Sequence, residues 1–142
     1  MMNFDMDRSL GFLLNRTAIA SKVSFNSLIK EYEISPEQWS VIFRVTTSDG
    51  ITQKELADST YKDQGNLTRM LSKLIEKGYI IKEVDQKDKR AFRLYATEFS
   101  YKIVKEISDL SAKHNQTLTQ GLSKEEAEQL IELLNKVYRN IN

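Results

Sequence analysis

Gln64, Asn66, Thr68, Arg69, Ser72 and Lys73 are amides, hydroxyls and cations interleaved with Leu67, Met70, Leu71 and Leu74. That interleaving puts the polar and apolar sets on opposite faces of one helix. A side-chain amide matches the donor–acceptor pattern of an adenine edge, a guanidinium or ammonium suits guanine or a phosphate, and a hydroxyl can hold a phosphate oxygen. Gly65, with no side chain, would let the backbone come close to such a surface. An ordinary solvated helix face more often carries Glu–Lys pairs than this set. The face therefore reads in two ways, as plain solvated surface or as a surface that meets nucleic acid.

The elements that would position this helix are legible from caps and periodicity. A helical pattern runs from about Asp5 to Tyr32, with Leu10, Leu13, Leu14, Phe25 and Leu28 on one face and Phe12, Ile19 and Val23 elsewhere. A helix apolar on more than one side has more than one partner to pack against. Ser35-Pro36-Glu37-Gln38 is a capping box with Pro at the first helical position, opening a helix that buries Trp39, Ile42, Phe43 and Val45 before Asp49-Gly50 ends it. Thr52 and Glu55 form a second capping box on a short helix with Leu56 and Ala57, and Asp63 caps the helix described above, which Gly78 stops. Ile80–Val84 and Arg90–Ala96 alternate with period two and are joined by the charged turn Asp85-Gln86-Lys87-Asp88-Lys89, so they read as a two-stranded hairpin. Thr97 caps a helix carrying Ile103, Val104, Ile107, Leu110, His114 and Leu118, and Ser123 with Glu126 opens a last one carrying Leu130, Ile131, Leu134, Tyr138 and Ile141. The fold class expected is mainly α with a small β-hairpin wing. Two tandem helices followed by a hairpin make a winged helix-turn-helix, in which the second helix enters a major groove and the wing reaches the neighbouring backbone or minor groove.

Composition narrows the function. The chain has 142 residues, 40% hydrophobic and 29% charged, which suits one globular domain rather than a disordered chain. Five glycines and one proline disfavour a turn-rich all-β fold. The lack of cysteine excludes disulfides, thiolate metal sites and thiol redox sensing. A single histidine, His114, leaves no histidine pair for a metal or for catalysis. No nucleophile–base pair, phosphate-cradling glycine loop or carboxylate cluster is recognisable, so the expectation is a protein that is not an enzyme and uses no cofactor. No apolar run approaches the roughly 20 residues of a membrane span, and the opening MMNFDMDRSL lacks a basic segment leading into an apolar core. Both point to a cytoplasmic protein with no membrane partner. The net charge of +1 conceals a pattern: residues 51–96 hold ten basic and seven acidic side chains, while each flank is slightly acidic. The excess is small, and it falls on the segment that carries the polar helix and the hairpin.

At this point the chain resembles a family. Gln64-Gly65-Asn66-Leu67-Thr68-Arg69-Met70-Leu71 with Leu74 to Ile80 is similar to the recognition helix of multiple-antibiotic-resistance (MarR) type regulators. Asp88-Lys89-Arg90 followed by Thr97 is similar to that family's wing signature, and the likeness extends to Ser35–Trp39, Thr52–Ala57 and Leu122–Glu126, about residues 8–141 in all. Two departures, Ala96 for the usual Leu and Ser100 for the usual Gly, put the strand-to-helix junction in question. The resemblance implies one domain over 1–142, with a DNA-binding lobe at about 36–97 and dimerisation helices at about 5–33 and 98–141. It further implies a homodimer on a near-palindromic double-stranded DNA operator, acting as a repressor released by a small aromatic or carboxylate effector. The apolar stripes of the terminal helices agree independently, since a monomer would leave them partly wet.

The same resemblance gives residues their roles. Arg90 would enter the minor groove, where a narrow groove concentrates negative potential, with Asp88 holding it; otherwise the two are a surface ion pair worth at most about 1 kcal/mol. Lys89, with Lys87 and Arg93, would attract phosphate or serve solubility. Thr52 and Gln53 would meet phosphate or merely cap. Gln64, Gly65, Asn66 and Thr68 would face the groove, and Arg69 and Lys73 would bind phosphate or pair with Asp63 and Glu76. Phe12, Arg16, Trp39 and Phe43 would line an effector pocket or be core. Tyr61 and Tyr95 are further candidates for the DNA backbone, and His114 is read as a residue tolerated on a dimer helix. The alternative class is a winged-helix protein-interaction module, for example an antagonist of another regulator. Such a module would have little use for Gln64, Asn66, Arg69 and Arg90 together.

Overall fold

The computed structural model describes residues 3–142; Met1 and Met2, which begin the opening segment, lie outside the described residues. The first helix is shorter than its pattern. A 3-10 turn at Met6–Arg8, capped by the Asp5 carboxylate, is followed by extended backbone at Ser9, and α1 occupies Leu10–Ile29. A second 3-10 turn, Lys30–Tyr32, tightens its end before Glu33 turns left-handed. The expected helix from Asp5 is thus broken at Ser9, where the side chain makes no capping bond.

The caps largely behave as their residue types require. Ser35 Oγ accepts the Gln38 N–H at 3.1 Å while Gln38 Oε1 accepts the Ser35 N–H at 2.9 Å, starting α2 (Pro36–Thr47). Thr52 caps α3 (Gln53–Thr60) by accepting the Glu55 N–H at 3.1 Å. Its box does not close as expected, because Glu55 takes the Thr52 hydroxyl at 2.9 Å instead of the backbone N–H. Asp63 caps α4 (Gln64–Glu76), Thr97 caps α5 (Glu98–Leu118), and Ser123 with Glu126 closes a full box on α6 (Lys124–Ile141). Gly78, at φ +83°, supplies the left-handed turn after α4.

The sheet has one strand more than the sequence pattern predicts. β1 (Ile51–Thr52), β2 (Ile80–Val84) and β3 (Phe92–Ala96) are antiparallel in the order β1-β3-β2, with Leu94 facing both Ile51 and Lys82. A two-residue strand is too short to show alternation. Arg90 and Ala91, expected to begin the last strand, lie in the wing turn, where the Ala91 N–H donates to the Asp88 carbonyl.

The core sits between the sheet and α2–α4, with the second half of α1 and the first half of α5 over it. Ile29, Val41, Ile42, Val45, Leu56, Leu67, Leu74, Leu94 and Ile107 have no exposed surface. From α1 only Phe25 and Ile29 are buried, and α6 buries nothing. The apolar stripes expected on the terminal helices therefore exist but point outward: Leu10, Phe12, Ile19 and Val23 on α1, and Leu130, Ile131, Leu133, Leu134, Tyr138 and Ile141 on α6 are all exposed.

Ser100 resolves the doubt about the junction. It is fully buried, and its hydroxyl donates to the Tyr79 carbonyl at 2.6 Å, while Thr97 Oγ1 donates to the Gly78 carbonyl at 2.7 Å. The side chain that replaces glycine is thus satisfied, and it stitches the end of α4 to the start of α5. Ser100→Ala should lower stability by about 1 kcal/mol, the net worth of one such bond. Denaturant unfolding at fixed protein concentration measures it; an unchanged midpoint would mean the bond contributes nothing.

Candidate nucleic-acid interface

The apolar stripe of α4 fixes what its other face presents. Leu67, Leu71 and Leu74 are buried and Met70 half-buried, so at about 100° per residue the remaining positions form one solvent-facing arc. Gln64 and Thr68 lie along the edge of the arc nearest α3. Gly65, Arg69 and Ser72 run along its middle, and Asn66 and Lys73 along the edge turned toward the start of α2. One edge is tied to its neighbour and the other stands off from it. On the α3 side, Gln53 Nε2 donates to Thr68 Oγ1 at 2.7 Å, and Thr68 in turn donates to the Gln64 carbonyl at 2.7 Å. On the α2 side, an open cavity of about 400 Å³ separates Ser35 and Gln38 from Asn66, Arg69, Met70 and Lys73.

Asn66 is occupied, which the sequence did not reveal. Its amide nitrogen donates to the Asp63 carboxylate and its amide oxygen accepts from Arg69 Nη2, so cap, amide and guanidinium form one chain along the first turns of α4. Asp63 also accepts the Asn66 backbone N–H at 2.8 Å. That backbone bond, with the side-chain amide and the Arg69 charge, holds the Asp63 carboxyl below the usual carboxylate range. Gly65 leaves room for this arrangement, since a Cβ there would crowd Asp63 Oδ1 at 3.3 Å. Asn66 is thus disposed to aim Arg69, whereas Gln64 and Lys73 stand on the surface without such a chain. Thr52 is likewise engaged, its hydroxyl shared between the N–H and the carboxylate of Glu55.

The wing is built by local turns. Asp85 Oδ1 accepts the Lys87 N–H at 2.8 Å, and Asp88 Oδ1 accepts the Arg90 N–H at 3.0 Å. Arg90 Nε lies 3.6 Å from the same Asp88 oxygen, and the Arg90 side chain is 94% exposed at the tip. Lys89 is exposed beside it. Arg93, read from sequence as a source of phosphate attraction, does something else. Its Nε donates to Asp85 Oδ2 at 3.0 Å and its Nη1 to the Gly50 carbonyl at 2.8 Å. One guanidinium thereby ties the base of the wing to the turn between α2 and β1. Asp85 is held below the usual carboxylate range, first by the Lys87 N–H and then by the Arg93 charge.

The remaining sequence candidates are divided. Trp39 is buried and Phe43 half-buried, their rings 5.5 Å apart on the wall of a cavity of about 460 Å³ that is closed on the other side by Ser108, Ser111, Ala112 and Asn115 of α5. Phe12 and Arg16 stand exposed farther along α1 and do not line it. His114 is buried against Phe25, with ring centroids 5.3 Å apart, and borders an adjoining cavity that Trp39 also borders. Tyr95 packs over Gly50, and Tyr61, though largely exposed, has its ring against Tyr138.

Arg93 and Arg90 should therefore behave oppositely. Arg93→Ala should speed amide exchange across β2 and β3 and lower stability, whereas Arg90→Ala should leave both unchanged. Acid should imitate the first change: a depressed folded-state pKa makes the Asp85 contribution present above the ordinary aspartate value of about 3.9 and lost as pH falls through the lower folded one. Exchange rates equal to wild type in Arg93→Ala would show that the wing does not depend on this bridge.

Comparison with known proteins agrees with this geometry. Residues 34–92, which span α2 through the start of β3, match the family model described as MarR family. An uncharacterised HTH-type transcriptional regulator of Bacillus cereus (strain ATCC 10987 / NRS 248) is 28% identical over 138 residues, covering 94% of this chain and 92% of the relative. Among solved structures, the PcaV transcriptional regulator of Streptomyces coelicolor, in complex with its natural ligand, superposes with a TM-score of 0.93 at 21% identity, covering all of both chains. The S. aureus MepR–DNA complex gives a TM-score of 0.86 at 22% identity, over 96% of this chain and 99% of the other. At those identities the two structures speak for the fold. Together with the winged helix-turn-helix built as above, these matches identify residues 34–92 as a MarR family segment within a chain that is similar over nearly its whole length to an HTH-type transcriptional regulator.

Proposed function

We propose that the protein binds a near-palindromic double-stranded DNA operator as a homodimer and represses transcription there. The observation that carries this reading is the solvent-facing arc of α4 from Gln64 to Lys73, flanked by a wing whose Arg90 is exposed at the tip beside Asp88. In it, Arg69, held by Asn66, and Lys73 contribute phosphate or guanine contacts, Gln64, Gly65 and Thr68 face the groove, and Thr52 and Gln53 approach the backbone at the start of α3. Lys89 adds attraction at the wing, and Arg90 enters the minor groove with Asp88 fixing its backbone and its charge. The domain spans 1–142, and the exposed apolar stripes of α1 and α6 are the surface on which a second copy closes. The MepR–DNA complex supports the binding mode by likeness of fold. An interaction module would not need this concentration of amides and cations on one face.

DNA fragments selected by the purified protein supply the operator for the test, and sedimentation equilibrium should give twice the 16.5 kDa chain mass. If the dimer neutralises roughly six to ten phosphates, affinity should drop about 10³–10⁵-fold between 50 and 200 mM salt. Arg90→Ala should weaken binding by about 1–3 kcal/mol, and Asp88→Ala should weaken it too, although it removes a negative charge. A salt-independent affinity, or tighter binding by Asp88→Ala, would sink this reading.

An effector reading rests on a separate observation, the cavity walled by Trp39 and Phe43, with Arg44 at its edge. A small aromatic carboxylate suits such a wall, ring against ring and anion toward the guanidinium. The PcaV structure holds its natural ligand in the same fold, which supports the idea. Trp39 is the chain's one tryptophan, so titration with aromatic carboxylates should quench its fluorescence and release operator DNA together. Quenching that leaves DNA binding untouched would dissociate the cavity from regulation.

A further inference from the structure

Tyr61 occupies a position where a large side chain is unusual. It ends α3 in the left-handed conformation, φ 57° and ψ 37°, which favours Gly or Asn because a Cβ there crowds the backbone. It is also the first residue of the three-residue turn that joins α3 to α4, two residues before the Asp63 cap. A bulky residue persists in such a conformation where its surroundings hold it. Its backbone is held by the C-cap of α3, where the Tyr61 N–H meets the Asp58 carbonyl and the Lys62 N–H donates to the Ala57 carbonyl at 3.1 Å. Its ring is held by Tyr138 of α6: the ring centroids are 5.2 Å apart at an interplanar angle of 72°, the edge-to-face arrangement that aromatic pairs prefer. The two residues are 77 positions apart in sequence, on the helix-turn-helix turn and on the terminal helix. Tyr61 is 73% exposed and Tyr138 39% exposed, so the pair adds little to the core. Since α6 buries no side chain of its own, this aromatic contact is a direct path between the terminal helix and the start of α4.

We infer that Tyr61, held by Tyr138, is a positioning residue that fixes the orientation of α4 relative to α6 and so sets the half-site spacing the protein accepts. The inference rests on the dimeric, operator-binding reading above. In a two-fold dimer the terminal helices carry the symmetric contact, and the two copies of α4 must fall about one helical turn of DNA apart. One inserted base pair shifts a half-site about 3.4 Å along the axis and about a tenth of a turn around it. A head tied rigidly to its dimer helix resists that shift, whereas a head released from it can follow.

The test uses the full-length protein and a selected operator in which the central spacer is lengthened or shortened by one and two base pairs. Wild type should prefer one spacing over its neighbours by about tenfold or more, the misfit being taken up as deformation of DNA or protein. Tyr61→Gly, which removes the ring and relieves the left-handed backbone, should flatten that preference to within about threefold while retaining the dimer mass and an equal or higher melting temperature. Tyr61→Phe keeps the edge-to-face contact and should keep the wild-type profile. A Tyr61→Gly protein with the wild-type spacing profile would overturn the inference while leaving the operator reading intact. A wild-type protein that selects no DNA would overturn both.

Discussion

Strand β3 has to satisfy two neighbours at once, and the relation between helix and wing depends on that constraint. On one side it pairs with β2 to make the hairpin; on the other it pairs with β1, the two residues that immediately precede and cap α3. Leu94, fully buried, sits at the centre of both ladders. Without β1 the hairpin would be a two-stranded ribbon attached at its ends, and such ribbons are marginal in water. With it, wing and tandem helices become one body. Arg93 reinforces the same joint from the edge, reaching from Asp85 in the wing to the Gly50 carbonyl ahead of β1.

A second consequence concerns how the polar residues of α4 are used. Side chains on an exposed helix ordinarily lose rotamer freedom when they engage a partner. Here the first turns are ordered in advance: Asp63 holds Asn66, Asn66 holds Arg69, and Gln53 holds Thr68. The guanidinium is delivered in a defined direction, while Gln64 and Lys73 keep more freedom. The arc is therefore mixed, with Asn66, Thr68 and Arg69 preset among neighbours that can still adjust.

Much of this was legible in the chain. Capping residues announce themselves within four positions, so Ser35, Asp63, Thr97 and Ser123 locate helix starts almost to the residue. Period-two alternation located the hairpin, and the spacing of Leu67, Leu71 and Leu74 told which face of α4 remained for other work. What escaped were features that depend on distant pairing. β1 is too short for periodicity and exists because β3 lies beside it. Arg93 looked like one more basic residue of the wing, since nothing local shows that Gly50 offers it a carbonyl 43 residues away. Ser100 looked like a defect, because the carbonyl that accepts its hydroxyl belongs to Tyr79, across a strand junction. The amide of Asn66 could have been anticipated from its i+3 spacing to both Asp63 and Arg69. Of the four residues named for an aromatic wall, Trp39 and Phe43 border one cavity, while Phe12 and Arg16 stand exposed on α1 away from it.

The bareness of α6 means that the two ends of the molecule answer to different variables. The lobe from α2 to β3 carries its own buried side chains, so heat and denaturant govern whether it holds together. A helix that buries none of its own residues gains protection only from a neighbour, and how often it meets one is set by how many copies surround it. In the proposed homodimer, dilution would therefore loosen one end of the molecule while leaving the other folded, and the number of chains per cell would become a physical input to the structure itself, alongside temperature and pH.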